Sequence, residues 1–128
     1  MNTNESLDIA IDVLSQLGET YQNFAFMYLQ TDIAQWSKLY PERKFEPNQD
    51  YWYVLLRAVG KCGGDASRSV SILSVCQDRA LRVVAEAVVE GLGDIGNTEA
   101  MALLRNIKST HSDEFIRNLA EVVLEDCN

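Results

Sequence analysis

Apolar residues near the start of the chain recur at helical spacing. Leu7, Ala10, Ile11, Leu14 and Leu17 fall at i, i+3, i+4, i+7 and i+10, one stripe of an amphipathic helix, which Gly18 is placed to end. From Glu19 to about Tyr40 the pattern is helical again, and Thr31-Asp32 is a capping pair predicted to break that segment in two. Both prolines lie in Pro41-Glu42-Arg43-Lys44-Phe45-Glu46-Pro47-Asn48, the one stretch that reads as a longer loop. Further on, Ala100, Leu103, Leu104 and Ile107 form another helical stripe. Sustained period-two alternation occurs nowhere, so the chain is predicted to be all-α.

The second half repeats itself. Asp78-Arg79-Ala80-Leu81-Arg82-Val83-Val84-Ala85-Glu86-Ala87-Val88 matches Asp113-Glu114-Phe115-Ile116-Arg117-Asn118-Leu119-Ala120-Glu121-Val122-Val123 at an offset of 35 residues. A weaker unit aligns Ala58-Val59-Gly60-Lys61-Cys62-Gly63 with Gly91-Leu92-Gly93-Asp94-Ile95-Gly96 at an offset of 33. This is the period of a two-helix repeat. The glycines of 91–96 are expected to end one helix, with Asn97 or Thr98 capping the next. Asp78 and Asp113 are predicted helix starts, where a carboxylate meets free N–H groups. Mid-helix Ala85 and Ala120 permit close helix approach. A unit of this kind cannot bury both its faces alone and must stack on neighbours.

The segment from Leu81 to Ala100, with its Arg82, Ala85, Leu92-Gly93-Asp94-Ile95-Gly96 and Ala100, resembles the HEAT-like repeat, in the short form found in phycobilin lyases. The resemblance is strong over 78–107, partial over 113–127 and weak over 51–75. It implies a short right-handed α-solenoid of HEAT-like helical hairpins over 51–128; residues 1–50 carry no such resemblance and are expected to form an aromatic-rich N-terminal helical cap, in a single domain of seven or eight helices. It also implies a structural role for Arg82 and Arg117, each reaching an acidic group of an adjoining repeat, with Asp94 as one acceptor.

Composition adds sign and limits. The 128 residues carry 19 acids and 11 bases, a net charge of −8. Such a field repels phosphate, which argues against direct nucleic-acid or anionic-membrane binding. The last sixteen residues hold Asp113, Glu114, Glu121, Glu125 and Asp126 against Arg117 alone. No apolar run approaches the roughly 20 residues that span a bilayer. The chain opens at Met1 without the basic flank and apolar core of a signal peptide, so it is expected to be complete and cytoplasmic. Cys62, Cys76 and Cys127 are too few and too scattered for a disulfide framework or a zinc site and are expected to be buried and inert.

Catalytic chemistry finds little support. His111 in Ser109-Thr110-His111-Ser112-Asp113 reads as an interhelical turn, because sequence neighbours cannot supply triad geometry. Gly91-x-Gly93-x-x-Gly96 spells a dinucleotide fingerprint but follows a helix where the motif needs a strand. Lys38, Arg43 and Lys44 read as a solvated loop beside acids. No enzyme activity, metal or cofactor is expected.

Ten of the eleven aromatic residues lie between Tyr21 and Tyr53. Most are expected in the core of the cap, yet Tyr51-Trp52-Tyr53 cannot all face one way on a helix. The expected function is a non-catalytic protein–protein interaction module, most concretely an acidic immunity protein that blocks a basic partner such as a nuclease toxin. Its partner-binding residues are predicted to be Glu86, Glu90, Glu121, Glu125 and Asp126, with Trp52 as an exposed anchor. The alternatives are a phycobilin-lyase-like protein and a generic adaptor or scaffold subunit.

Overall fold

The computed structural model describes residues 3–39, 49–75 and 82–127. Among them there are seven α-helices and no strand: α1 (Thr3–Ser15), α2 (Glu19–Leu39), α3 (Gln49–Lys61), α4 (Ala66–Val75), α5 (Arg82–Ile95), α6 (Thr98–Thr110) and α7 (Glu114–Cys127). The predicted loop at 41–48, the cap at Asp78 and the thiol of Cys76 lie outside the described residues, as do Arg43 and Lys44.

Two boundaries differ from expectation. The α2 helix runs unbroken through Thr31-Asp32. Without an adjacent glycine or proline, the weak helix propensity of these residues costs only about 0.7 kcal/mol each, and context overrides it. The α5 helix runs through Gly91 and Gly93, and of the glycines in 91–96 only Gly96 (φ 63°) takes the left-handed conformation that stops a helix. Gly91 and Gly93 serve helix packing. A methyl group on Gly60 of α3 would stand 2.6 Å from the Gly91 Cα, and one on Gly93 would stand 2.5 Å from Val123 Cγ1 of α7. At the first crossing the two backbones approach as closely as glycine permits, and at the second the glycine makes room for a side chain.

The predicted caps at the other end of the chain form as read. Asn97 caps α6, its side chain accepting the Ala100 N–H at 2.8 Å. Asp113 Oδ1 accepts the Phe115 N–H at 2.9 Å at the start of α7. His111 closes α6, donating its backbone N–H to the Ile107 carbonyl, and its Nδ1 accepts the Asp113 N–H at 3.0 Å. The turn reading of this histidine holds.

From α2 onward each helix packs on the next, and helices also pack on their second neighbours. The odd row runs α1 on α3, α3 on α5 and α5 on α7, and in the even row α2 meets α4 and α4 meets α6. Between the rows lies the core, with Leu56 and Trp52 of α3, Leu73 of α4, Val88 and Leu92 of α5, Leu104 of α6 and Ile116 of α7 all fully buried. Ala85 and Ala120 are buried too, as their repeated position predicts. Tyr21 fastens α2 to α3, its buried hydroxyl donating to the Leu55 carbonyl at 2.6 Å. Burial, with a smaller contribution from Cys62, pushes that phenol far above its usual range.

One buried polar side chain was not anticipated. Gln22 is fully buried, and its Nε2 donates to the Asp65 carbonyl (2.7 Å) and to Ser69 Oγ (2.6 Å), while its Oε1 accepts the Asp65 N–H (3.2 Å). Both valences of the amide are therefore used, which removes the penalty of burying it.

Candidate functional site

The predicted partner-binding acids separate into three settings. Glu90 and Asp94, one turn apart on α5, both pair with Arg57 of α3, Asp94 at 3.3 Å. The Arg57 side chain is only 14% exposed, and its Nε is buried with no partner among the described residues. These two carboxylates thus share one guanidinium in a partly exposed ion trio that keeps a net negative charge. Glu86 lies one turn earlier and is half-buried; burial first and the Glu90 charge second raise its pKa above the ordinary carboxylate range. Tyr53 faces the same acids, and burial followed by Glu90 pushes its phenol up.

On α7 the picture differs. Glu121, Glu125 and Asp126 are all exposed. Lys108 of α6 stands 3.6 Å from Glu121, with both side chains about half exposed, a pair worth well under about 1 kcal/mol. Two shallow clefts organise these groups. One of about 400 Å³ between α6 and α7 is lined by Arg105, Lys108, Ser109, Glu121, Leu124 and Glu125. Another of about 330 Å³ joins Arg57, Glu90 and Asp94 to Asp126 and Cys127 of α7. The structure therefore brings Glu121 to Glu125 and Glu90 to Asp126, and leaves Glu86 at the edge.

Three expectations need correcting. Trp52 is fully buried and cannot be an exposed anchor. It shares the i, i+3, i+4, i+7 face of α3 with Leu55, Leu56 and Val59, all of them buried. Tyr51 is the exposed member of the triplet, and Tyr53 is half-buried. The rings of the first two helices also do not gather in the core as expected: Tyr21 does, whereas Phe24, Phe26 and Tyr28 are exposed. Cys62 is buried, with its thiol pKa raised by desolvation, but Cys127 is exposed.

The arginines act across helices, though with different acceptors. Arg82 Nε donates to Asp113 Oδ2 at 2.9 Å, linking the first turn of α5 to the cap of α7, and its guanidinium lies 4.9 Å from the Phe115 ring centroid. This pairing holds the Asp113 carboxyl below its usual range. Asp94 is out of reach of Arg82, since twelve residues of helix separate them by about 18 Å. Arg117 donates instead to the His111 carbonyl at 2.6 Å.

Arg57 is the residue that sequence reasoning missed. Its signal was present: the 33-residue offset that aligns Gly60 with Gly93 also aligns Arg57 with Glu90. No protein-family model matches this chain, no curated protein matches it, and no solved structure matches it.

Proposed function

We propose that this chain is a non-catalytic protein–protein interaction module, an acidic immunity-type inhibitor that binds and blocks a basic protein such as a bacterial nuclease toxin. The reading takes the fold as a short right-handed stack of HEAT-like hairpins, and the regular packing of odd on odd and even on even helices supports it. The carrying observation is the exposed acidic side of α7. Glu121, Glu125 and Asp126 face solvent there, whereas Glu90 and Asp94 share Arg57 between them. Exposed carboxylates on a chain of net charge −8 accelerate encounter with a basic surface.

The test is association kinetics with the product of the adjacent gene, to which an immunity protein is ordinarily matched. The association rate should fall at least about tenfold as ionic strength rises from about 0.05 to 0.5 M. Replacing both glutamates, Glu121→Lys with Glu125→Lys, should slow association and leave dissociation little changed. An association rate that ignores salt would remove the acidic-encounter reading.

A further inference from the structure

Seven of the eleven large hydrophobic side chains exposed among the described residues lie between Ile9 and Tyr28. On α1 and the turn after it they are ordered. Ile9 and Val13, 52% and 58% exposed, stand at i and i+4 on one face of α1, and Leu17, 54% exposed, lies in the turn that follows. The core-facing stripe of the same helix is Leu7, Ala10, Ile11 and Leu14, so α1 is apolar over a wider arc than its packing on α3 uses. Exposed Asp8 and Asp12 border the outer stripe. Residues 1–37 hold five acids (Glu5, Asp8, Asp12, Glu19, Asp32) and no lysine or arginine.

We infer that the outer stripe of α1 docks an amphipathic helix of the partner protein, with apolar residues on one face and lysine or arginine flanking them. This deepens the proposed function and rests on its basic partner. The apolar row supplies the anchor, because burying large side chains there removes area already organised on a rigid helix. Asp8 and Asp12 fix the sign of the occupant. A second copy of this chain would set acid against acid along the same border, at a cost in like-charge repulsion. The mode is helix addition to the free end of the odd row, repeating what α1 does on α3.

The probe is a labelled amphipathic Leu/Lys peptide of about 18 residues, long enough to hold a helix, titrated into the full chain beside a Leu/Glu peptide with the same apolar face. The Leu/Lys peptide should bind at least about tenfold more tightly than the Leu/Glu peptide. The Val13→Glu variant should lose at least about tenfold in affinity for it. That change adds an acid, so a purely electrostatic association would instead tighten. Unchanged binding by Val13→Glu, equal binding of the two peptides or no binding of either overturns the inference. A melting temperature lowered by more than a few degrees in Val13→Glu also overturns it, since the stripe would then be covered within the chain. So does a concentration-dependent dimer that Val13→Glu abolishes. If the natural partner's association stays salt-sensitive while Val13→Glu leaves it intact, the α1 site fails and the proposed function stands. If that association ignores salt, the reading of a basic partner fails first.

Discussion

Single atoms set the limits of this fold. Gly60→Ala places a methyl group against the Gly91 backbone, which cannot move aside as a side chain does, so α3 and α5 must separate. We expect a loss of about 1–3 kcal/mol in urea unfolding. Gly93→Ala meets the Val123 side chain instead, and adding Val123→Ala should recover part of the loss, a coupling visible in a double-mutant cycle. Glu86 carries a pH signature. Its folded pKa is raised, so ionising it works against the folded state; this cost is absent below the unfolded value and grows as pH rises through the folded one. Glu86→Gln should therefore raise the urea midpoint at pH 7, with the gain vanishing toward about pH 4. Asp113 works in the opposite sense, since stability from its lowered pKa is lost as pH falls through that value.

At the scale of elements, helix periodicity carried most of the reading and burial decided the rest. Trp52 illustrates the split: its i, i+3, i+4, i+7 companions were visible in the sequence, but the run Tyr51-Trp52-Tyr53 did not say which ring faced inward. The glycines of α5 failed for a related reason, because one residue type serves both a left-handed stop and a close crossing, and only the neighbouring helix distinguishes them. Gln22 left no sequence signal, since its three hydrogen bonds join α2 to the first turn of α4 and the residue before it, more than forty residues away. Losing a bonded network of this kind is costly, and Gln22→Ala should destabilise by about 2–3 kcal/mol in chemical denaturation. Of the candidate site, the exposed acids of α7 were legible. The pairing of Glu90 and Asp94 was not, because it depends on Arg57 from another helix.

For the whole molecule, α5 is the hub: it packs on α3, α4, α6 and α7. Hydrogen exchange should be slowest in α5, around Val84, Ala85, Ala87 and Val88, and faster in α1, which touches chiefly α3. A mass-spectrometric exchange profile in which α1 outlasted α5 would contradict this ordering. Similar helices in one chain carry a hazard, because units alike enough to stack are alike enough to exchange places within or between molecules. The contact of Gly60 with Gly91 counters that hazard. Helix α7 contains no glycine, so in the place of α5 it would bring a side chain against Leu73 of α4 and the Leu56 carbonyl of α3, where Gly91 brings none. The bare backbone there works as a keyway, admitting α5 and refusing α7. Filling it with Gly60→Ala should yield misassembled soluble oligomers on refolding as well as a weaker monomer.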